Sequence, residues 1–227
     1  MINDTIINQI LSPKRFNSYL TRCENNAQNA LEYYVANAKI SEATYWSLQA
    51  FEVALRNKIH FALTRHFGTP EWYNQWLISE EFADFHAKII ETKNVLKLRN
   101  EPINPDKMIA EFMLGFWVKM FNAKYERLLW KPLRIIFQNM PKNERQRNNV
   151  AGALNKVRNF RNRVYHYEPI CWDFKATNNN YSNIIDVIQW LDTEFQNWSA
   201  NNCDFPFVIK NQTIKLNELG IKKVTQL

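Results

Sequence analysis

The sequence predicts an all-α protein, and three observations carry that reading. Glycine is scarce, with only Gly68, Gly115, Gly152 and Gly220 in 227 residues, whereas a many-turned sheet protein needs more. The strong helix formers Leu, Ala, Glu, Lys and Arg are abundant. Apolar residues recur three and four apart over long stretches, which places them on one face of a helix. The length suits one large domain or two small ones with a substantial core.

The elements follow in order. Ser12-Pro13 opens a first helix whose buried stripe is Phe16, Tyr19 and Leu20. Asn25-Asn26 end it. A second helix over residues 27–39 buries Ala30, Leu31, Tyr34 and Val35. Ser41 caps a third helix that runs to Phe67 and stops at Gly68. Within it Glu52, Arg56 and His60 stand four apart on one face, which on its own reads as an exposed salt-bridged ladder. The connector over residues 69–77 carries Trp72, Tyr73 and Trp76. Packing over the core is favoured there over a base-stacking platform.

A helix over residues 79–98 follows, with Glu80, Glu81, Asp84 and Lys88 on its outer side. Pro102 and Pro105 mark a central loop, and residues 99–105 are the candidate sub-boundary of the chain. From Asp106 to Trp117 the chain is nearly all apolar and predicts a central helix. Gly115 in it marks a kink or the close approach of a neighbour. The helix continues through Tyr125, Leu128 and Trp130 to Pro132, with a short helix over residues 133–137 and a break at Pro141. Asn143 caps the next helix, residues 144–166. Residues 176–180, Ala-Thr-Asn-Asn-Asn, read as loop. A last helix over residues 182–200 buries Ile185, Val187, Ile188, Leu191, Phe195 and Trp198. The tail, with Phe205-Pro-Phe-Val-Ile and residues 214–224, reads as a hairpin or a short helix.

Composition narrows the function classes. The opening Met-Ile-Asn-Asp-Thr has no basic, apolar leader pattern, and no stretch approaches the roughly 20 apolar residues of a membrane helix. Cys23, Cys171 and Cys203 are odd in number, far apart and without ligand spacing, which points to small buried hydrophobes in a reducing cytoplasm. No glycine-rich phosphate loop and no His-Glu-x-x-His are present, so no cofactor and no metal are expected. The net charge is +7, and between Lys142 and Arg163 seven basic residues face one acid, Glu144. That local positive field implies an anionic partner. Arg145, Arg147, Lys156, Arg158 and Arg163 are its candidate RNA-backbone contacts.

The basic window leads into the densest cluster of polar chemistry, Arg161-Asn162-Arg163-Val164-Tyr165-His166-Tyr167-Glu168-Pro169-Ile170. Leu154, Val157, Phe160 and Val164 keep helical spacing up to it, and Pro169 is expected to stop the helix. Asn162 and His166 are four apart, about 40° round the helix, and share a face. Arg161 and Tyr165 form the neighbouring face. On residues alone, an amide and a histidine at a helix end are ordinary end chemistry, the histidine complementing the helix dipole.

The same string carries a resemblance. Arg161-x4-His166, with Asn162 after the arginine, resembles the R-x(4–6)-H motif of the HEPN superfamily of all-α ribonucleases. The ten residues 161–170 are similar to the R-N-R-[VI]-A-H-H-E-P-I segment of Abi-like abortive-infection proteins. Glu52-Val-Ala-Leu-Arg56-Asn57 resembles their upstream E-x-x-L-R-N element, and Leu114-Gly-Phe-Trp117 their central F-G-x-W segment. The likeness spans about residues 14–170. Tyr165 stands where those proteins have Ala, and Tyr167 where they have a second His.

The resemblance implies a HEPN-like helical bundle over residues 1–200, with extra N-terminal helices and a short C-terminal extension, residues 201–227. It implies a metal-independent endoribonuclease of a bacterial antiphage or toxin system. His166 would be the general acid or base, Arg161 the phosphate clamp and Asn162 the orienting residue. Glu52, Arg56, Asn57, Tyr165 and Tyr167 would support them. A homodimer with two facing motif helices is implied, as is a controlling RNA or antitoxin protein. The alternative expectation is a non-catalytic module that binds RNA or protein.

Overall fold

The computed structural model describes residues 11–221, so the opening Met-Ile-Asn-Asp-Thr and residues 222–224 of the tail lie outside the described residues. The architecture is all-α, with no strand among the described residues. In chain order the helices are α1 Pro13–Arg22, α2 Ala27–Phe67, α3 Trp72–Trp76, α4 Ala83–Leu98, α5 Pro105–Glu111, α6 Leu114–Lys119, α7 Lys131–Leu133, α8 Arg147–Tyr165, α9 Phe174–Leu191, α10 Thr193–Asn201 and α11 Phe205–Glu218. Two compact units are present. Among the described residues the first takes in 11–47, Phe160–Ser182 and 201–221; the second is Leu48–Asn159 with Asn183–Ala200. Residues 99–105 fall inside the second unit, and residues 201–221 belong to the first.

The first unit is built on α1 and the opening turns of α2. Ser12 caps α1 through Arg15 N–H, and Asn26 caps α2 through Asn29 N–H at 3.0 Å. The expected break at residue 41 does not occur, because α2 is one helix of 41 residues. Tyr33, Ala36, Asn37, Ile40, Thr44, Ser47 and Leu48 are buried at helical spacing straight through Ser41, and that continuous stripe overrides a local capping preference. Thr44 and Ser47 satisfy their hydroxyls on carbonyls one turn back, at 2.7 and 2.9 Å. The buried face is therefore Ala30, Tyr33 and Ala36, while Val35 is exposed and Leu31 and Tyr34 only half-buried. Tyr33 packs edge to face with Tyr19 and Trp172, which are tilted against each other, with ring centres 4.6–5.9 Å apart. In the described part of the tail, Phe205–Glu218 form the helix α11, and Phe205 at its start stacks on Tyr181 at 4.3 Å.

Residues 176–180 are helical rather than loop. Asp173 accepts Ala176 N–H at 2.8 Å as the cap of α9, and Phe174, Thr177, Tyr181 and Ile184 are buried three or four apart. The expected last helix is two helices, because Asp192 accepts Phe195 N–H at 3.0 Å and starts α10. Trp198 is exposed there rather than buried.

In the second unit an aromatic core gathers Trp72, Trp76, Phe85, Phe112, Phe116 and Trp117, all buried. This settles the aromatic connector as packing. The expected central helix breaks at Phe112 and Met113, which are extended. The break lets Phe112 stack on Phe116 at 3.9 Å and lets Trp117 Nε1 donate to the Phe112 carbonyl at 3.1 Å. Gly115 is not a point of close approach, since a Cβ there would meet no atom within 4 Å. Beyond α6 the chain winds through short 3-10 and π turns and the single turn of α7, not one bent α-helix, as far as Phe137. The helix α8 begins at Arg147, not at residue 144. Glu144 and Arg145 instead turn back onto the Pro141 carbonyl, and Asn143 gives only its carbonyl, to Gln146.

Asp84 receives hydrogen bonds from Lys124 Nζ at 2.7 Å and Tyr125 Oη at 2.6 Å. The Lys124 bond first, then the Tyr125 bond, hold its carboxyl down at about 2, against 3.8 unperturbed. A depressed folded-state value gives stability that is present above the unfolded value and lost as pH falls through the folded one. The melting-temperature difference between wild type and Asp84→Asn is therefore expected to be full above pH 4 and to vanish as pH approaches 2, measured by circular dichroism.

Candidate nucleic-acid site

Every residue from Phe160 to Ile170 lies in the first unit. The helix α8 brings its last turns there, with Phe160 and Val164 buried and Asn162 and Arg163 exposed. It ends by a Schellman turn two residues before Pro169, so the proline comes after the stop and does not cause it. Tyr167 N–H bonds the Val164 carbonyl at 3.0 Å, and Glu168 N–H bonds the Arg163 carbonyl at 2.9 Å. Tyr167 takes the left-handed position of that turn, φ 55°, where glycine is the usual residue. His166 N–H closes the last helical turn on the Asn162 carbonyl at 2.9 Å. The His166 ring is exposed.

The neighbouring face is aromatic. The Arg161 guanidinium lies over the Tyr165 ring, 4.1 Å from its centre, a cation–π contact that aligns a half-buried cation. Arg163 donates to the Pro169 carbonyl and lies 3.5 Å from the Glu168 carboxylate, so it braces the turn.

The segment after the turn is fastened to α2. Asn37, buried at 6% exposure, accepts Ile170 N–H at 2.7 Å and Cys171 N–H at 3.2 Å on one oxygen. Tyr33 Oη donates to the Cys171 carbonyl at 3.0 Å, and Thr177 donates to the Ile170 carbonyl. Sequence reasoning missed Asn37 and Tyr33. The available signal was an amide on an otherwise apolar helical stripe, which marks a buried polar partner. Burial also pushes the Cys171 thiol well above its ordinary range, so this cysteine is packing material.

Beside the motif end, α2 and α8 enclose a cavity of about 480 Å³. Tyr34, Tyr45, Tyr165 and Tyr167 line it, with Ser41 and Glu42. Arg161, Asn162 and His166 are not among its lining residues.

The remaining candidates belong to the second unit. Glu52 and Arg56 are half-buried, and Arg56 Nη1 reaches the Ala110 carbonyl at 3.4 Å. Asn57 is exposed and lines a cavity of about 620 Å³ with Lys58, Phe61 and Asp192. His60 Nδ1 accepts Trp72 Nε1 at 3.1 Å, and burial lowers its pKa, which makes it a structural histidine. Arg147 is engaged by Glu126 at 2.9 Å and by the Phe121 carbonyl at 3.0 Å, and Arg145 by the Phe137 carbonyl at 3.4 Å. Lys156 is exposed and Arg158 half-exposed. Thus several cations of the basic window hold the fold, while Lys142 and Lys156 are exposed to solvent.

No family model, no curated protein and no solved structure matches this chain. No helix among the described residues is long and apolar enough to cross a membrane.

Two stability outcomes are expected at the turn. Asn37→Leu leaves two buried N–H groups without a partner, and each such loss costs about 1–3 kcal/mol. The urea midpoint is expected to fall by at least about 2 kcal/mol in stability terms. Tyr167→Gly relieves a left-handed non-glycine residue and is expected to gain about 0.5–1 kcal/mol, seen as a raised midpoint at unchanged slope.

Proposed function

We propose that this protein is a metal-independent endoribonuclease of the HEPN type, acting in an abortive-infection or toxin-type antiphage system. The observation that carries the reading is the exposed end of α8. There Asn162 and His166 stand on consecutive turns, joined by the 2.9 Å backbone bond, with Arg161 held one residue away over Tyr165. The ten-residue likeness of this string to Abi-like proteins supports it.

RNA carries its own nucleophile. The 2′-oxygen attacks the adjacent phosphorus as its proton passes to a base. The 2′-O–P bond forms and the P–O5′ bond breaks, and the 5′-oxygen takes a proton from an acid. The products are a 2′,3′-cyclic phosphate and a 5′-hydroxyl. Imidazole serves as base or acid near neutral pH, which is the role of His166. A guanidinium matches phosphate oxygens and favours the charge that grows on them, which is the role of Arg161. Asn162 orients the imidazole or the phosphate. One chain supplies one such histidine, so a homodimer with two motif ends provides both acid and base. An RNA or protein antitoxin would hold the activity in check.

The second reading is a module that binds RNA without cutting it. The aromatic cavity favours it, because Arg161, Asn162 and His166 do not line it.

The deciding assay is purified protein and His166→Ala with total RNA in excess chelator, with mapping of the cut ends. The expected outcome is cyclic-phosphate ends from the wild type, a rate at least ~100-fold lower in the variant, and RNA affinity changed by less than about twofold. Equal cutting by both proteins removes His166 from the chemistry. No cutting by refolded wild type on any RNA, with binding retained, moves the protein to the second reading.

A further inference from the structure

The cavity at the motif end does not stand alone. A second hollow of about 510 Å³ lies against α11 and shares Glu42 and Tyr45 with it. Both lie wholly within the first unit. Glu42 and Tyr45, one helical turn apart on α2, are the shared wall. On one side are the rings of Tyr34, Tyr165 and Tyr167; on the other are Trp46 and Phe207. Tyr45, Tyr167 and Phe207 are 55%, 72% and 68% exposed, far more than aromatic residues that only pack.

We propose that the two hollows are neighbouring base subsites for single-stranded RNA, the tyrosine-lined one selecting an amino-bearing base, guanine first. This rests on the proposed function, in which RNA is the ligand. Rings that line a concave hollow offer faces on which bases stack whatever their sequence. The volumes fall in the range of ligand sites, with few polar groups among apolar ones. Among them Glu42 sets the choice of base. Glu42 is an exposed carboxylate on the shared wall, whereas the Ser41 hydroxyl oxygen is buried and leaves the choice to Glu42. A carboxylate is acceptor-only. It takes two parallel N–H bonds from the N1 and N2 edge of guanine and one from the amino group of adenine or cytosine, and it repels the carbonyls of uracil. Arg161 behind Tyr165 and Lys39 at the rim of the second hollow supply cations for the linking phosphates.

A second copy of this chain is the competing occupant. An apolar face laid over the wall would bury Glu42 without a partner, which is costly, whereas a base brings its own donors.

The test is calorimetric titration of the full chain, in chelator and at fixed salt, with guanosine and uridine monophosphates and with hexanucleotides differing in one G or U. The wild type is expected to prefer guanine by roughly 5- to 150-fold. Tyr45→Ala is expected to weaken hexanucleotide binding by roughly 5- to 150-fold, and Tyr45→Phe to restore it. Glu42→Gln is expected to reduce the guanine preference, weakening guanosine binding and, with the repulsion of the uracil carbonyls gone, tightening uridine binding. Circular dichroism establishes that each variant is folded, and Tyr34→Ala serves if Tyr45→Ala is not. Equal binding of G and U, or affinity insensitive to Tyr45 and Tyr34, overturns the proposal. So does a change in sedimentation of Tyr45→Ala with nucleotide affinity intact, which would make the wall a subunit interface. RNA cutting that ignores Tyr45 sinks the subsites and leaves the ribonuclease standing. Tyr45-dependent binding without cutting does the reverse.

Discussion

One buried amide constrains the end of the candidate site. Asn37 sits on the interior stripe of α2 and gives its single side-chain oxygen to two consecutive backbone N–H groups, those of Ile170 and Cys171. Neither donor has a helix or sheet ladder to join, since both lie in the link between α8 and α9. Without Asn37 the link would carry orphaned buried donors, and the chain would move to reach water. Tyr33 and Thr177 take the carbonyls of the same two residues. The link is thus bonded on both edges, and the turn before it has a fixed anchor.

That anchor explains why a tyrosine is tolerated in the left-handed position of the turn. The strain at Tyr167 is of the order of 1 kcal/mol, and it is offset by bonds formed on either side. The Schellman pair precedes it and the Asn37 bonds come after it. Arg163 adds a brace from the helix to the Pro169 carbonyl. With the backbone held so, Tyr165 and Tyr167 face a common cavity, while His166 between them is exposed and does not line it. Alternation across the turn, rather than helical spacing alone, separates the polar chemistry from the aromatic wall.

Much of this was legible in the sequence, and the exceptions have physical causes. The all-α class, the Ser12 cap and the end of α8 beside His166 follow from composition and spacing. The cap read at Ser41 fails because seven buried positions keep their period through it, and burying that stripe outweighs one local cap. The asparagine run at residues 178–180 looks like loop by composition, yet Thr177, Tyr181 and Ile184 carry the helical period beneath it. The uniform apolar stretch near Gly115 hides a break, because periodicity cannot mark where a ring stack such as Phe112 on Phe116 needs extended backbone. The basic window was visible, but charge counting cannot tell an open cation from one spent on a carbonyl, as Arg147 and Arg163 are.

The engagement of those cations bears on where affinity for an anionic partner would come from. If charge counting were sufficient, Arg145 to Arg163 would form one electrostatic track. With Arg147 and Arg163 engaged internally, the field persists but fewer donors are available for direct phosphate contacts. A ligand held by fewer ion pairs shows a shallower salt dependence and must draw more of its affinity from uncharged contacts. The exposed rings of Tyr45, Tyr165 and Tyr167 offer such an uncharged surface around the cavity at the end of α8. Tyr165 and Tyr167 put ring area, rather than further titratable groups, on either side of His166 at the turn.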